Sequence, residues 1–249
     1  MTACAWNPES ARAYREDART QPLRPYERVA DRQVPTPAGY ALARLTTDGW
    51  KFARFPAIPV IPPIDWAEAA SSNRSWEFHL HCWDFLSPVL IQIDECPEDE
   101  SIGYAVAVAM DWARTFPTPD NVGMAWYDMA LGIRAQRLAY IVDVACRNDS
   151  ISDQDIAALL NSVTSHQTAL AEESIFNARS NHGLYVAAGQ LAMARRLQRF
   201  PGMDACYVQA QERMALMIRS QFTAEGVHKE HSPDYQTIII DTLRSLEHS

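Results

Sequence analysis

From residue 101 onward, apolar positions recur at helical spacing and turn signals divide the chain into successive helices. Ser101 can cap a helix that carries Ala105, Val108, Ala109 and Trp112 and stops before Pro117. Trp126 to Val144 is apolar nearly all round, with Met129, Ala130, Ile133, Leu138, Ile141 and Val142, the pattern of an inner helix covered on every side. Ser152-Asp153-Gln154-Asp155 reads as a capping box, opening a helix with Ile156, Leu159, Leu160 and Val163 on one face. Helices over Asn181 to Phe200 and Met203 to Phe222 are separated only by Pro201-Gly202, so they are expected to be antiparallel neighbours. A last helix begins near Ser232-Pro233, with proline in its first turn, and carries Ile238, Ile239, Ile240, Leu243 and Leu246. No strict repeat of about 34 or about 40 residues runs through these helices, which disfavours a regular tetratricopeptide or HEAT array. Successive antiparallel pairs predict an all-α, α/α architecture.

The first hundred residues follow another pattern. Residues 1–63 are rich in proline and arginine and end in Phe55-Pro56-Ala57-Ile58-Pro59-Val60-Ile61-Pro62-Pro63. That density of proline disfavours long regular elements and predicts an extended arm wrapped over the domain formed by residues 64–249. Between 64 and 100, Trp66, Trp76, Phe78, Trp83 and Phe85 surround His79-Leu80-His81. A short helix is expected from about Trp76 to Ile91, with Pro97 and the acidic Glu95 to Glu100 cluster as a loop.

Composition narrows the function classes. With 47% hydrophobic and 21% charged residues, the 249-residue chain is an ordinary globular sequence. Its net charge of −9 argues against general nucleic-acid binding, which needs a basic surface to displace phosphate counterions. The same charge means that a polyanionic ligand would need a locally basic cleft. The five cysteines are scattered without a CxxC pair, as expected of free thiols rather than a zinc ribbon or disulfide framework. The N-terminus does not read as a secretion signal, and no stretch approaches the ~20 apolar residues that span a bilayer. The expectation is a chain that is cytoplasmic as given, with no membrane partner, and periplasmic or secreted were its start not native. No nucleotide loop, flavin fingerprint or nucleophile elbow occurs, so no cofactor is expected. His228 and His231, three apart, are read as part of a solvated turn rather than a metal site.

Two segments could carry chemistry. Ser180-Asn181-His182 stands at a predicted helix start, where unpaired amides and partial positive charge favour a carboxylate and two side chains could add donors. The plainer reading is a helix cap. Glu225 to Gln236 is a polar turn entering a helix, containing His228, His231 and Tyr235. A tyrosine acts as a base near neutrality only where positive neighbours lower its pKa, and otherwise packs as an aromatic.

In combination, Ser180-Asn181-His182-Gly183, two antiparallel helices and then Glu230-His231-Ser232-Pro233-Asp234-Tyr235 resemble the heparinase II/III-like family of polysaccharide lyases. Trp126-Tyr127-Asp128-Met129-Ala130-Leu131-Gly132-Ile133-Arg134-Ala135 resembles that family's inner-helix motif, and Phe78-His79-Leu80-His81 does so more loosely. The resemblance implies an incomplete (α/α) toroid followed by a β-sheet domain, and cleavage of uronic-acid polymers by β-elimination. It makes Asn181 the group that holds the substrate carboxylate, His182 its assistant there or in proton transfer, and Tyr235 the acid/base residue. Arg134, Glu230 and His231 are secondary candidates for binding substrate, with Arg134 equally readable as an ion-pair partner of Asp128. His79 and His81 are candidates for the cleft lining or for an aromatic core. The chain departs from the pattern in having Gln236 where members often have histidine. It also stops soon after Tyr235, before the β-sheet domain that supplies a further histidine in relatives. Two other readings stand beside the lyase: a non-catalytic helical module that binds an acidic glycan or a protein, and a hydrolase using Asp128 and Glu230, whose spacing does not place them across a glycosidic bond.

Overall fold

A computed structural model describes residues 5–27, 41–67, 69–119, 123–229, 237 and 239–244. Among these residues there are nine α-helices and no strand beyond two isolated bridges, so the all-α expectation holds. The helices are α1 (Pro8–Ala18), α2 (Ala41–Asp48), α3 (Arg74–His81), α4 (Ser87–Glu95), α5 (Asp99–Thr115), α6 (Asp128–Arg147), α7 (Asp153–Ala171), α8 (Asn181–Arg196) and α9 (Met203–Gln221). Thr237 and residues 239–244 are also helical; Ser232-Pro233, the expected start of the last helix, lies outside the described residues.

Contacts along the helices give their directions. Near the starts of α6 and α8, Asp128 meets His182; further along, Gly132 meets Gly189; near their ends, Asp143 meets Arg196. The two helices are therefore parallel. α3 and α4 follow the same course, with Phe78 against Tyr127, the His81 carbonyl on Arg134, Asp84 on Arg137 and Asp94 on Tyr140. α5, α7 and α9 return the chain. Trp112, late in α5, meets Trp126 just before α6, and His166, late in α7, reaches Arg134 near the start of α6. Ser220, late in α9, donates to the Ala178 carbonyl just before α8 (2.7 Å). Inner helices that run parallel, joined by outer helices that run back, are the building unit of an α/α toroid. Every inner helix consequently starts at the same mouth.

α6 is the centre. All residues from Ala130 to Cys146 are buried, as the all-round apolar pattern predicts. Its closest neighbour is α8, and glycine makes that approach possible: a β-carbon on Gly189 would lie 1.9 Å from the Gly132 carbonyl oxygen. A methyl group there forces two packed backbones apart, at a cost of about 1–3 kcal/mol or more.

The expected extended arm is interrupted by α1 and α2. Asn7 forms a reciprocal capping box with Ser10, and Pro8 in the first turn suits the helix, so local capping outweighs the proline density around it. α1 does wrap over later helices. Arg15 and Arg19 both donate to the Cys146 carbonyl (3.1 and 2.6 Å), satisfying the otherwise unpaired end of α6. Trp6, Tyr14 and Phe200 pack together beside them. The helix expected from Trp76 to Ile91 is broken into α3 and α4, because buried Trp83 adopts left-handed backbone angles (φ 64°). Pro88 then sits in the first turn of α4. α5 begins within the acidic stretch expected to be loop, with Glu98 rather than Ser101 at the residue before its first turn and no side-chain cap there. Of the four described cysteines, all free, Cys82, Cys146 and Cys206 are buried and Cys96 is exposed.

Candidate functional site

The mouth gathers the starts of α3, α6 and α8. Ser180 caps α8, its hydroxyl accepting from the His182 amide (3.2 Å). Gly183 follows because the preceding turn lies against the helix: a β-carbon there would sit 2.2 Å from the Asn177 carbonyl oxygen. Asn181 is half-buried beside the cap, and its amide nitrogen has no partner among the described residues.

His182 is held from α6. Its Nδ1 lies 3.2 Å from the Tyr127 hydroxyl and 3.3 Å from Asp128 Oδ2, with Tyr127 edge-on to the imidazole. The His182 side chain is 35% exposed and that of Asp128 25%. Asp128 is itself fixed, since Oδ1 accepts from the Met129 amide (2.5 Å) in the first turn of α6, where helix polarity favours an acid. A carboxylate at Nδ1 keeps a proton on that nitrogen and directs the other, Nε2, to any ligand. Nε2 is an acceptor when the ring is neutral and a donor when it is charged. Phe78, Tyr127, Met129 and Tyr185 make a half-buried apolar floor around Cys82, Ala130 and Ile133. Arg74 places its guanidinium 5.4 Å from the centre of the Tyr127 ring.

The other expected site residues separate from this cluster. Arg134, read as a binder of sugar anions, is buried completely and unavailable to a ligand in this structure. It does not pair with Asp128 either. Its guanidinium lies 3.7 Å from the centre of a Trp112 ring, near Trp126 and Trp83, and donates to His166 Nε2 (2.9 Å) and the His81 carbonyl (2.8 Å). Burial pulls it down to about 9. His81 belongs to the same core cluster, where burial and then Arg134 lower it to about 3; the same two causes hold His166 well below the usual histidine range. Glu230, His231 and Tyr235 lie outside the described residues. No group of three or more possible metal ligands occurs among the described residues.

Sequence reasoning missed the role of Tyr127 and Asp128 in holding His182. The available signal was their position at the very start of a helix buried all round, which commits the start of that helix to the mouth.

Comparison with known proteins agrees with this architecture. Residues 17–248 match the family model described as the heparinase II/III N-terminus. The chain belongs to that family. No curated protein sequence matches it. Among solved structures, the fold is similar to heparan sulfate lyase HepC from Pedobacter heparinus, with a TM-score of 0.74 at 17% identity, covering 96% of this chain and 39% of that one. It is also similar to a heparinase III with methylated lysines (TM-score 0.75, 13% identity, 97% of this chain and 41% of that one). A further heparinase III structure gives a TM-score of 0.74 at 14% identity, over 96% and 39% of the two chains. The heparinase family member described here thus spans about two fifths of the length of these chains, and the likeness shows a shared fold. No helix among its described residues is long and apolar enough to cross a membrane.

Proposed function

We propose that this chain is the helical part of a lyase that cleaves an acidic polysaccharide by β-elimination, with Asn181, His182 and Tyr235 at the reacting sugar. The observation that carries the reading is His182 at the capped start of α8, its Nδ1 held by Tyr127 and Asp128 at a mouth made by three parallel inner helices.

The chemistry follows from what a uronate requires. Removing the C5 proton places negative charge on the adjacent carboxylate, so the step is accessible only if aimed donors stabilise that charge. Asn181 Nδ2 and, in the protonated ring, His182 Nε2–H are those donors, assisted by the positive end of the α8 dipole. Tyr235 takes the C5 proton as phenolate and protonates the leaving C4 oxygen as phenol. The C5–H and C4–O bonds break, a C4=C5 double bond forms, and no water is consumed. Lys229, whose amide bonds to the Gln221 carbonyl (2.8 Å), is held at the end of α9 that lies beside Ala178 at the mouth. Tyr235 follows six residues later in sequence.

The test is ultraviolet absorbance of uronic-acid polymers, heparan sulfate among them, incubated with the chain and with Tyr235→Phe, Asn181→Ala and His182→Ala. The expected result is an unsaturated-uronate signal that each substitution lowers by on the order of a hundredfold or more. New reducing ends without that signal would instead indicate hydrolysis and sink the elimination reading. Binding of an acidic glycan with no cleavage would favour a non-catalytic glycan-binding module.

A further inference from the structure

The third inner helix brings its own buttressed histidine to the mouth. His79 Nδ1 pairs with Asp84 Oδ2, and Asp84 Oδ1 accepts from the buried Arg137 guanidinium (2.6 Å). Arg137 is in turn fixed by the Cys82 carbonyl and the Tyr26 hydroxyl. Burial would raise the Asp84 carboxyl, but Arg137 and His79 outweigh it and hold the group below the usual carboxylate range. Asp84 therefore stays ionised and keeps a proton on His79 Nδ1. The imidazole is also clamped by rings, with Phe52 at 4.4 Å and Phe78 at 5.0 Å between centroids. Its side chain is 32% exposed, and Nε2 has no partner among the described residues. Phe78 continues to Tyr127 and Tyr127 to His182, so an unbroken run of rings joins the two histidines, with Arg74 above the run.

A buried arginine ordering a carboxylate that orders a half-exposed imidazole is more construction than packing requires. We propose that His79, donating through Nε2–H in its protonated ring, forms a second subsite for the oxyanion of an acidic sugar, adjacent to the one at Asn181 and His182. The proposal rests on the acidic-glycan reading of the mouth. It adds that the ligand is gripped at two neighbouring anionic groups, across an aromatic floor on which sugar rings can lie.

The experiment is calorimetric titration of the 249-residue chain with a heparan sulfate tetrasaccharide and its desulfated counterpart, alongside His79→Phe, Asp84→Asn and His182→Ala. His79→Phe keeps a ring between Phe52 and Phe78 while removing the Nε2 contact, and Asp84→Asn keeps the shape while removing the buttress. Thermal melts and the histidine proton resonances check that each variant is folded. We expect His79→Phe to weaken binding by on the order of tenfold, and Asp84→Asn by less. Loss on both oligosaccharides assigns a carboxylate to the subsite; loss on the sulfated one alone assigns a sulfate. Unchanged affinity in folded His79→Phe, with weakened binding in His182→Ala, would overturn the subsite and leave the parent reading standing. Weakened binding in His79→Phe with none lost in His182→Ala would do the reverse. No binding of either sugar by the unmodified chain would overturn both.

Discussion

Two histidine clusters share the same helices and differ in what faces them. His79 and His81 stand two residues apart on α3, and Asp128 and Arg134 less than two turns apart on α6. At the mouth, His79 and His182 are half-exposed and each meets a carboxylate. One step inward, His81 and His166 are buried and meet Arg134, and both are held neutral. His166 Nδ1 lies on the Ser162 carbonyl (2.8 Å) and so donates to it, leaving Nε2 to accept from Arg134. Trp112 Nε1 donates to His81 Nδ1 (3.2 Å). The inner cluster is a hydrogen-bonded core that encloses a cation with no carboxylate partner among the described residues, stabilised by ring faces. The outer cluster has charge, partial exposure and unfilled nitrogens. Chemistry depends on the second set of properties, and residue type alone does not distinguish the two.

The comparison breaks most easily at its inner member. Arg134→Ala leaves a cavity between three tryptophans and removes the donors to His166 and the His81 carbonyl. Unfolding in denaturant should show a loss of about 3–5 kcal/mol. Arg134→Met keeps most of the volume and should cost less than half of that. If Arg134→Ala is as stable as the parent but loses glycan binding, Arg134 reaches the ligand after all and the separation of clusters is wrong.

A pH series separates the clusters next. The folded-state pKa of His81, about 3, lies below the ordinary unfolded value of about 6.5. Above 6.5 the ring is neutral in both states. As pH falls from there toward 3, the unfolded chain binds a proton that the folded chain resists, so stability is lost. From His81 alone the loss reaches about 2 kcal/mol by pH 5, and His166 adds in the same direction. Melting temperature should fall between pH 7 and pH 5. Arg134→Met should flatten that slope only in part, because burial is the larger cause and Arg134 the smaller. A melting temperature constant over this range would mean that the inner histidines titrate normally.

The helices were legible because their signals are local. Asn181, Met203 and the serine cap at Ser152 mark helix starts that the structure reproduces, and the all-round apolar pattern of α6 identifies the inner helix. What sequence could not supply was register between helices. The α6 pattern shows that Arg134 is near apolar neighbours, but its distance from the mouth depends on how α6 sits against α5 and α7. The same holds for Asp128, which is read more readily as a partner of Arg134, one and a half turns away, than of His182, 54 residues away. The break at Trp83 was also hidden, since a tryptophan in left-handed backbone angles is justified only by the core that surrounds it.

At the outer cluster, Asp128→Asn keeps the shape and the bond to the Met129 amide but removes the charge at His182 Nδ1. If orientation and charge at His182 matter, turnover of an acidic polysaccharide should fall by about tenfold, with the pH profile displaced and KM changed less than kcat. A purely structural Asp128 would lower melting temperature and leave the pH profile in place.

The smallest effect expected is the most discriminating for the start of α8. Ser180→Ala removes the cap on the His182 amide and should cost about 1 kcal/mol, or about 2–4 °C in melting temperature for a chain of this size. That amide then becomes one more free donor at the mouth. If the helix start contributes only by positioning Asn181 and His182, glycan binding should weaken in step with the fraying of the first turn, and a lower temperature should restore it. If the backbone at the start of α8 itself meets the carboxylate, releasing the His182 amide should leave affinity unchanged or raise it. A sign opposite to that of the stability change would therefore place the substrate carboxylate on the backbone of α8 rather than on its side chains alone.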